Sequence, residues 1–455
     1  MLHGGRSWRA GWVLVVLALA CERQEAREPA PEKDSSVERV TRGPRPTGAT
    51  RWVRPLTGPG RESAAGLAHD ARGEVVVALN SDAAVADFFG PLLNPRSGRV
   101  TPETFAVARY GTGGERQWSV SLPGFAEVLA VGARGRIFVV GRNVVGVDLG
   151  GGPLPAGRFL LELGRDGVFI RARSLEALGV SDALVPRHAD VDGLGNVVLV
   201  GSVADAKRGR VPAVVKLDAK GELLWTYAHE AQGEAVSASV DAEGQVYVAG
   251  VLEAARVRGA MDSQPFLVRL DARGRARWER RLDTRSGWAT GVAVRGQRVL
   301  VTGGFTQSLT FLSRTHVVEG GGGRGFVAAF DAEGAPRWLR ALGFVGTGLA
   351  VDEQEGALVV GRYEEGDDLG TGPMPGVAGS RMNLFLVKLD RVEGGVQWAR
   401  GFPREALGDA EGVRDFVSLS PKGPGAVLGT QLGPVDLGTG RLEGAWELFL
   451  GGFEP

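Results

Sequence analysis

One unit recurs along the chain and constrains the fold more than any other feature. An apolar stretch ends in Asp, a turn holds Gly, and Trp follows. Phe266 to Leu270, Asp271, Gly274 and Trp278 form one copy; Phe326 to Asp331, Gly334 and Trp338 form another. Phe385 to Asp390, Gly394 and Trp398 repeat it, as do Val214 to Asp218, Gly221 and Trp225. Weaker copies run from Phe105 to Trp118 and from Phe159 to Phe169. Between these copies lies a second pattern, an apolar strand ending in Asp, a Gly turn, and a strand ending in Gly. Ala235–Asp241, Gly244 and Val246–Gly250 show it most plainly; Asp192 to Gly201 and Asp352 to Gly361 repeat it. From Trp52 to Trp398 the mean period is roughly 58 residues. Strands this short, alternating in polarity and punctuated by Gly, cannot each bury a core alone. Small sheets stacked at a fixed period can, and a propeller is the closed form of that stack. The 71 Gly among 455 residues fit many tight turns. No segment sustains the 3.6-residue periodicity of a helical solenoid.

Each unit supplies four strands, A to D, with A ending at Asp and D carrying the Trp. Seven A strands are expected, near Ala64–Asp70, Ala126–Val131, His188–Asp192, Ala235–Asp241, Ala289–Val294, Gly348–Asp352 and Val413–Ser420. The last unit has B at Ala426–Gly429 and C at Trp446–Leu450, then ends at Pro455 with no D strand. At the other end, Arg51-Trp52-Val53-Arg54-Pro55-Leu56 matches the D strands Arg277–Leu282 and Arg337–Leu342 as Arg-Trp-x-Arg-x-Leu. The expected fold is therefore all-β: a seven-bladed β-propeller of four-stranded antiparallel blades over 51–455, closed by the N-terminal strand joining the last blade. Pro55 suits an outer edge strand, where a missing N–H costs nothing.

The Phe-x-x-x-Leu-Asp-x-x-Gly and Asp-x-x-Gly-x-x-Val-x-Gly elements resemble the bacterial seven-bladed β-propeller repeat family labelled SBBP. The resemblance covers about 51–455 and speaks to architecture, hardly to activity. The Leu-Asp-Ala-x-Gly…Trp part is also similar to the tryptophan-docking repeats of quinoprotein-type propellers, which usually have eight blades.

The N-terminus reads as an address. Arg6 and Arg9 precede an apolar run over 10–20, too short for a permanent span but suited to a secretory signal. Cys21, the only Cys, follows Leu17-Ala18-Leu19-Ala20 and resembles the lipobox of bacterial lipoproteins, with Ala18 where Leu is commoner. That resemblance implies a signal peptide over 1–20, lipidation of Cys21, and several acyl chains anchoring the protein stably. Residues 21–50, rich in charge and Pro, read as a flexible tether. The expected location is the bacterial envelope, at the outer membrane; Glu22 stands where some bacteria use Asp for inner-membrane retention.

Candidate chemistry is sparse. Lys plus Arg and Asp plus Glu both number 53, so charge offers no reason to propose nucleic acid. One Cys makes neither a disulfide framework nor a thiolate metal cluster. In an up-and-down blade, A-to-B and C-to-D turns share one end and the longer B-to-C and D-to-A loops share the other. Loops on a rigid frame are where binding concentrates, so Asn80–Thr104, Asn143–Gly157 and Leu175–Arg187 are candidates. Within the B-to-C loops an Asp-Leu-Gly element recurs, putting Asp148 with Gly150, Asp368 with Gly370, and Asp436 with Gly438 forward as ligand-contacting residues, or as a turn packed on a neighbouring blade. Asp190, Asp192 and Asn196 space oxygens as a calcium loop does, but Gly201 stands where the closing Glu belongs, which favours a turn. His69, His188, His229 and His316 are unpaired at metal spacing. His69-Asp70 and His188 near Asp190 could form an axial acid–base site.

The expected function is a lipid-anchored, non-catalytic binding or scaffolding module, monomeric and without cofactor or metal, meeting an unknown protein partner through the long-loop face. The alternative is a quinoprotein-like or other enzyme with an axial site. Carbohydrate binding ranks lower, because loop aromatics are few (Phe88, Phe89, Phe305, Tyr363).

Overall fold

A computed structural model describes residues 48–56, 62–81, 104–132, 134–253, 262–318, 322–404, 415–420, 425–431, 434–442 and 447–454. The chain divides into two units, Met1–Arg45 and Pro46–Pro455, and all described residues belong to the second. The expected signal, Cys21, nearly all of the tether and most of the Asn80–Thr104 loop lie outside the described residues.

The described chain is an all-β propeller of four-stranded antiparallel blades. The turn chemistry explains where strands stop. In the first sheet, the Asp70 carboxylate accepts the N–H groups of Arg72 (2.9 Å) and Glu74 (3.0 Å), and Gly73 takes φ +84°. This Asx-type turn ends one strand and starts Val75–Ser81, every residue of which is buried. Asp192, Asp218, Asp241 and Asp271 close the same turn on their own second-following and fourth-following N–H groups.

The first sheet runs Glu62–His69, Val75–Ser81, Thr104–Tyr110, Arg116–Pro123. The second runs Phe125–Val131, Ile137–Asn143, Gly157–Leu163, Phe169–Ser174, and the third Val185–Val191, Val197–Asp205, Gly209–Leu217, Leu223–Ala228. The penultimate sheet runs Val345–Val351, Ala357–Tyr363, Asn383–Leu389, Val396–Phe402. In the last, Phe416–Leu419, Gly425–Gln431 and Glu447–Phe453 are joined by Thr50–Leu56 as the outer strand. That outer pairing is antiparallel, with Val53 opposite Gly451 and Leu56 opposite Leu448.

The expectation of seven separate four-stranded sheets needs correction. Among the described residues five four-stranded sheets stand alone, and the strands from Gly233 to Leu342 hydrogen-bond into one nine-stranded sheet. Length is the cause. The strand expected over Ala289–Val294 is Asp283–Arg295, and its partner is Arg298–Phe311. The overlong strand reaches the preceding sheet, where Ser286 meets Ser263 in a parallel bridge. A further strand, Arg314–Val317, pairs back on Arg298–Phe311. On either side of that bridge lie two antiparallel quartets. The leading one is Gly233–Val240, Val246–Glu253, Ser263–Leu270 and Ala276–Arg281. The trailing one is Asp283–Arg295, Arg298–Phe311, Gly323–Asp331 and Pro336–Leu342.

The first strands of successive sheets pack side by side. Glu62–His69 meets Phe125–Val131, then come Val185–Val191, Gly233–Val240, Asp283–Arg295, Val345–Val351 and Phe416–Leu419, and the last of these packs on Glu62–His69. The apolar core lies between the sheet faces.

Candidate functional site

The three Asp-Leu-Gly elements adopt one geometry. Asp148 Oδ1 accepts the N–H groups of Gly150 (2.7 Å) and Gly152 (3.0 Å). Asp368 does the same with Gly370 (2.6 Å) and Gly372 (2.9 Å), and Asp436 with Gly438 (2.7 Å) and Gly440 (3.3 Å). These turn N–H groups hold the Asp368 carboxyl below its usual range, Gly370 contributing most. The intervening leucines, Leu149, Leu369 and Leu437, are buried. Leu149 shares a core with Val120 and Leu122, Leu369 with Trp338 and Leu342, and Leu437 with Trp398 and Phe402. Each hairpin therefore seals its own sheet against the outer strand of the sheet before it. The structure does not bring the three carboxylates together; each is spent on its own turn, while Gly150, Gly370 and Gly438 stay exposed. A fourth hairpin, Ser308–Phe311 with Arg314–Val317, buries Leu309 in a core with Leu282 and has no Asp-Leu-Gly signal to announce it.

The axial candidates also serve the frame. An innermost strand has no further strand beyond it, so its outward N–H groups need other acceptors. Side chains of the neighbouring innermost strand provide them. Asp190 Oδ2 accepts from Val240 N–H at 2.9 Å, and His188 Nδ1 from Ala238 N–H at 3.4 Å. Ser237 and Ser239 accept from Val292 and Val294, both at 3.2 Å, and Ser418 from His69 at 3.2 Å. Burial pushes the Asp190 carboxyl up to about 6, with the Val240 N–H opposing. Burial likewise takes His69 down to about 4, against the pull of Asp70. A cavity of about 290 Å³ on this axis is lined by Arg187, His188, Ser237, Thr290, Thr347 and Asp415, among others. Its charges are paired: Arg187 with Glu234 at 2.5 Å, and Asp415 with Arg404 at 3.4 Å.

Sequence reasoning missed a second set of ionisable residues, a cation in the third strand of several sheets. Lys216 reaches Asp192 (2.9 Å), Arg109 reaches Asp70 (2.6 Å) and Glu74 (3.0 Å), and Lys388 reaches Asp352. Burial alone would raise Asp70 and Asp192, yet the Glu74 N–H and Arg109 hold the first below its ordinary value, and Lys216 and Asn196 the second. The signal was present: a single cation alternates into an otherwise apolar strand just before the turn, as in Val214-Val-Lys216-Leu217. The Asp190–Asn196 segment is a turn whose Asp192 is held by Lys216 and Asn196. His229 Nε2 donates to Glu279 (2.9 Å), while its Nδ1 accepts the Ala231 N–H. Among the described residues no group of three or more His, Cys, Asp or Glu is placed to hold a metal.

The repeat tryptophans act between sheets. Trp52 Nε1 donates to Thr112 C=O (3.1 Å), Trp118 to Arg165 (3.0 Å), Trp225 to Ala272 (2.9 Å), Trp278 to Ala332 (3.0 Å) and Trp338 to Arg391 (3.3 Å). Each ring lies on the positive-φ glycine of that same turn, in the following sheet. At Gly114, φ +78°, a Cβ would stand 2.4 Å from the Trp52 ring, so only Gly admits the docking.

No protein-family model matches the chain, and no curated protein matches it. Among solved structures it is similar to the WD40 domain of Neurospora crassa Pan2, at 10% identity and a TM-score of 0.47, over 89% of this chain and 97% of that one. It is similar to YCF48, solved bound to D1 peptide, at 12% identity and 0.41, over 90% and 98%. The β-propeller domain of the Trilobed protease from Pyrococcus furiosus gives 11% identity and 0.35, over 71% and 95%.

Proposed function

We propose that this chain is a lipid-anchored envelope module, a seven-bladed ring that binds a protein partner through its long-loop face and carries out no chemistry. The blade count takes the two quartets of the nine-stranded sheet as two blades, because each has its own innermost strand and its own docked Trp. Closure by Thr50–Leu56 is supported by three contacts that repeat the other seams. Thr50–Leu56 pairs with Glu447–Phe453, Trp52 docks on the Gly114 turn, and Trp398 packs on Gly48. Glu454 N–H donates to Ala49 C=O at 2.9 Å, as Asp218 N–H donates to Glu222 C=O within an unbroken turn. The SBBP resemblance rests on the repeat motifs, and the anchor on Cys21 and its flanks.

One observation carries the binding reading over the axial enzyme. The residues best suited to acid–base work, His188, Asp190 and Asp192, are each hydrogen-bonded into the frame. A stiff ring of this kind displays loops and changes little on binding. In this reading Asp148, Asp368 and Asp436 shape their turns, and the exposed Gly150, Gly370 and Gly438 are what a partner can touch.

Two measurements test it. Cys21→Ser should move the protein from the membrane to the soluble fraction, and unchanged partition would overturn the anchor. Val144 is 61% exposed in a B-to-C loop, and Asp182 is exposed in a D-to-A loop. Val144→Asp combined with Asp182→Arg should abolish cross-linking to the envelope partner; an unchanged cross-linking pattern, or substrate turnover that survives purification, would contradict the reading.

A further inference from the structure

The seams between sheets are built alike, with one exception. Trp52, Trp118, Trp225, Trp278, Trp338 and Trp398 each lie on a turn glycine of the following sheet or on its counterpart Gly48. Between the second and third sheets the corresponding ring, Phe169, turns instead to Gly150 and Gly151 of its own sheet. Gly221, the turn glycine that should receive it, has only the Arg171 guanidinium within reach, at 3.9 Å.

The same seam lacks a second latch. In two other sheets the third-strand cation also donates to the next sheet's first turn: Arg109 to Gly135 C=O (3.2 Å) and Lys216 to Gly244 C=O (3.1 Å). In the second sheet that position is Glu162, which cannot donate to the turn carbonyls of the third. It folds back on Arg136 (2.7 Å) and Arg171 (2.6 Å) of its own sheet.

What stands at this seam is a cavity of about 290 Å³. Arg134, Arg136 and Phe138 form one wall; Val191, Asp192 and Leu194 are on the other. Leu194, 83% exposed, stands at the rim of the cavity. A Cβ on Gly193 would meet nothing within 4 Å, so that side is open. The charges are unbalanced. Lys216 neutralises Asp192, and Arg136 with Arg171 more than neutralises Glu162. Arg134 is exposed, and no carboxylate among the described residues pairs with it.

We propose that the seam between the second and third sheets is a docking slot for an acidic peptide segment of a protein partner. A carboxylate of that segment pairs with Arg134, and an adjacent aliphatic side chain covers Leu194 and Val191. A cavity this size takes one or two side chains, so the contact is with a segment and not a domain face. The slot lies at the Asp-turn end of the sheets, away from the loop face of the proposed function. Loop-face variants therefore leave it untouched, and the two readings fail separately.

The test uses the purified chain and a fluorescein-labelled peptide, Gly-Gly-Asp-Glu-Leu with a free carboxyl end, read by anisotropy. A Gly-Gly-Asn-Gln-Leu amide is the neutral control. Saturable binding of the acidic peptide alone is expected, about tenfold weaker in Arg134→Ala, with the melting temperature unchanged. Leu194→Asp should abolish binding, and the peptide should slow hydrogen exchange at 191–195. Binding that persists in both variants, equal binding of the amide, or no saturable binding at low ionic strength would overturn the proposal.

Discussion

Two seams of this molecule invert what chain connectivity suggests. The seam between the last and first sheets is where the two ends of the propeller meet, yet it carries a docked ring and an arginine bridge. Trp52 docks on the Gly114 turn, and Arg54 Nε donates to Gly114 C=O at 2.7 Å. The seam between the second and third sheets is crossed by continuous chain and lacks the docked ring. Its substitute is polar: Arg171 donates to Ala219 C=O at 2.6 Å, and Arg173 meets Glu222 at 2.8 Å. Leu175, Leu178, Val180 and Leu184 of the following loop add apolar cover. What locks a seam here is its side-chain hardware, and covalent continuity is no substitute for it.

The largest expected effect tests that contrast directly. Trp52→Ala should destabilise the propeller by about 3–5 kcal/mol, as truncation of a docked Trp removes both ring packing and an indole hydrogen bond. Phe169 is only partly buried, so Phe169→Ala should cost less than half as much in the same thermal melt. Equal losses would break the comparison.

The smallest effect comes from the axis side of the third sheet. Asp190 accepts the Val240 N–H, and burial lifts its carboxyl to about 6, above the unfolded value. The folded state therefore holds its proton more tightly. That contribution is fully present below about pH 4 and is lost as pH rises through 6. Asn can accept the same N–H without a charge. Asp190→Asn should raise stability at pH 7 by about 1 kcal/mol, since Asp190 is only partly screened from solvent, and should match wild type at pH 4. A variant less stable at pH 7 would contradict the assigned role.

How much of this was legible beforehand follows from which residues carry it. The Trp and Asp-x-x-Gly positions announce strand ends and turns because their roles are local and periodic. The pairing of Arg51–Leu56 with the chain's far end was legible from its match to Arg277–Leu282. The merging of two quartets was not, because it depends on how far Asp283–Arg295 runs past its turn. The Asp-Leu-Gly hairpins were legible as repeats, but their leucines bury against an adjacent sheet, a tertiary contact that no local spacing encodes. Glu162 in place of a cation was visible in the sequence, yet its meaning needed the neighbouring turns in place.

The central claim is that Thr50–Leu56 is the outer strand of the sheet formed by the chain's last residues. Native-state hydrogen exchange resolved to single amides tests it most directly. Ladder amides within Trp52–Leu56 should exchange only with opening of that sheet, at the same free energy as those of Leu448–Leu450. Exchange of residues 52–56 at free-peptide rates while 448–450 stay protected would contradict the account.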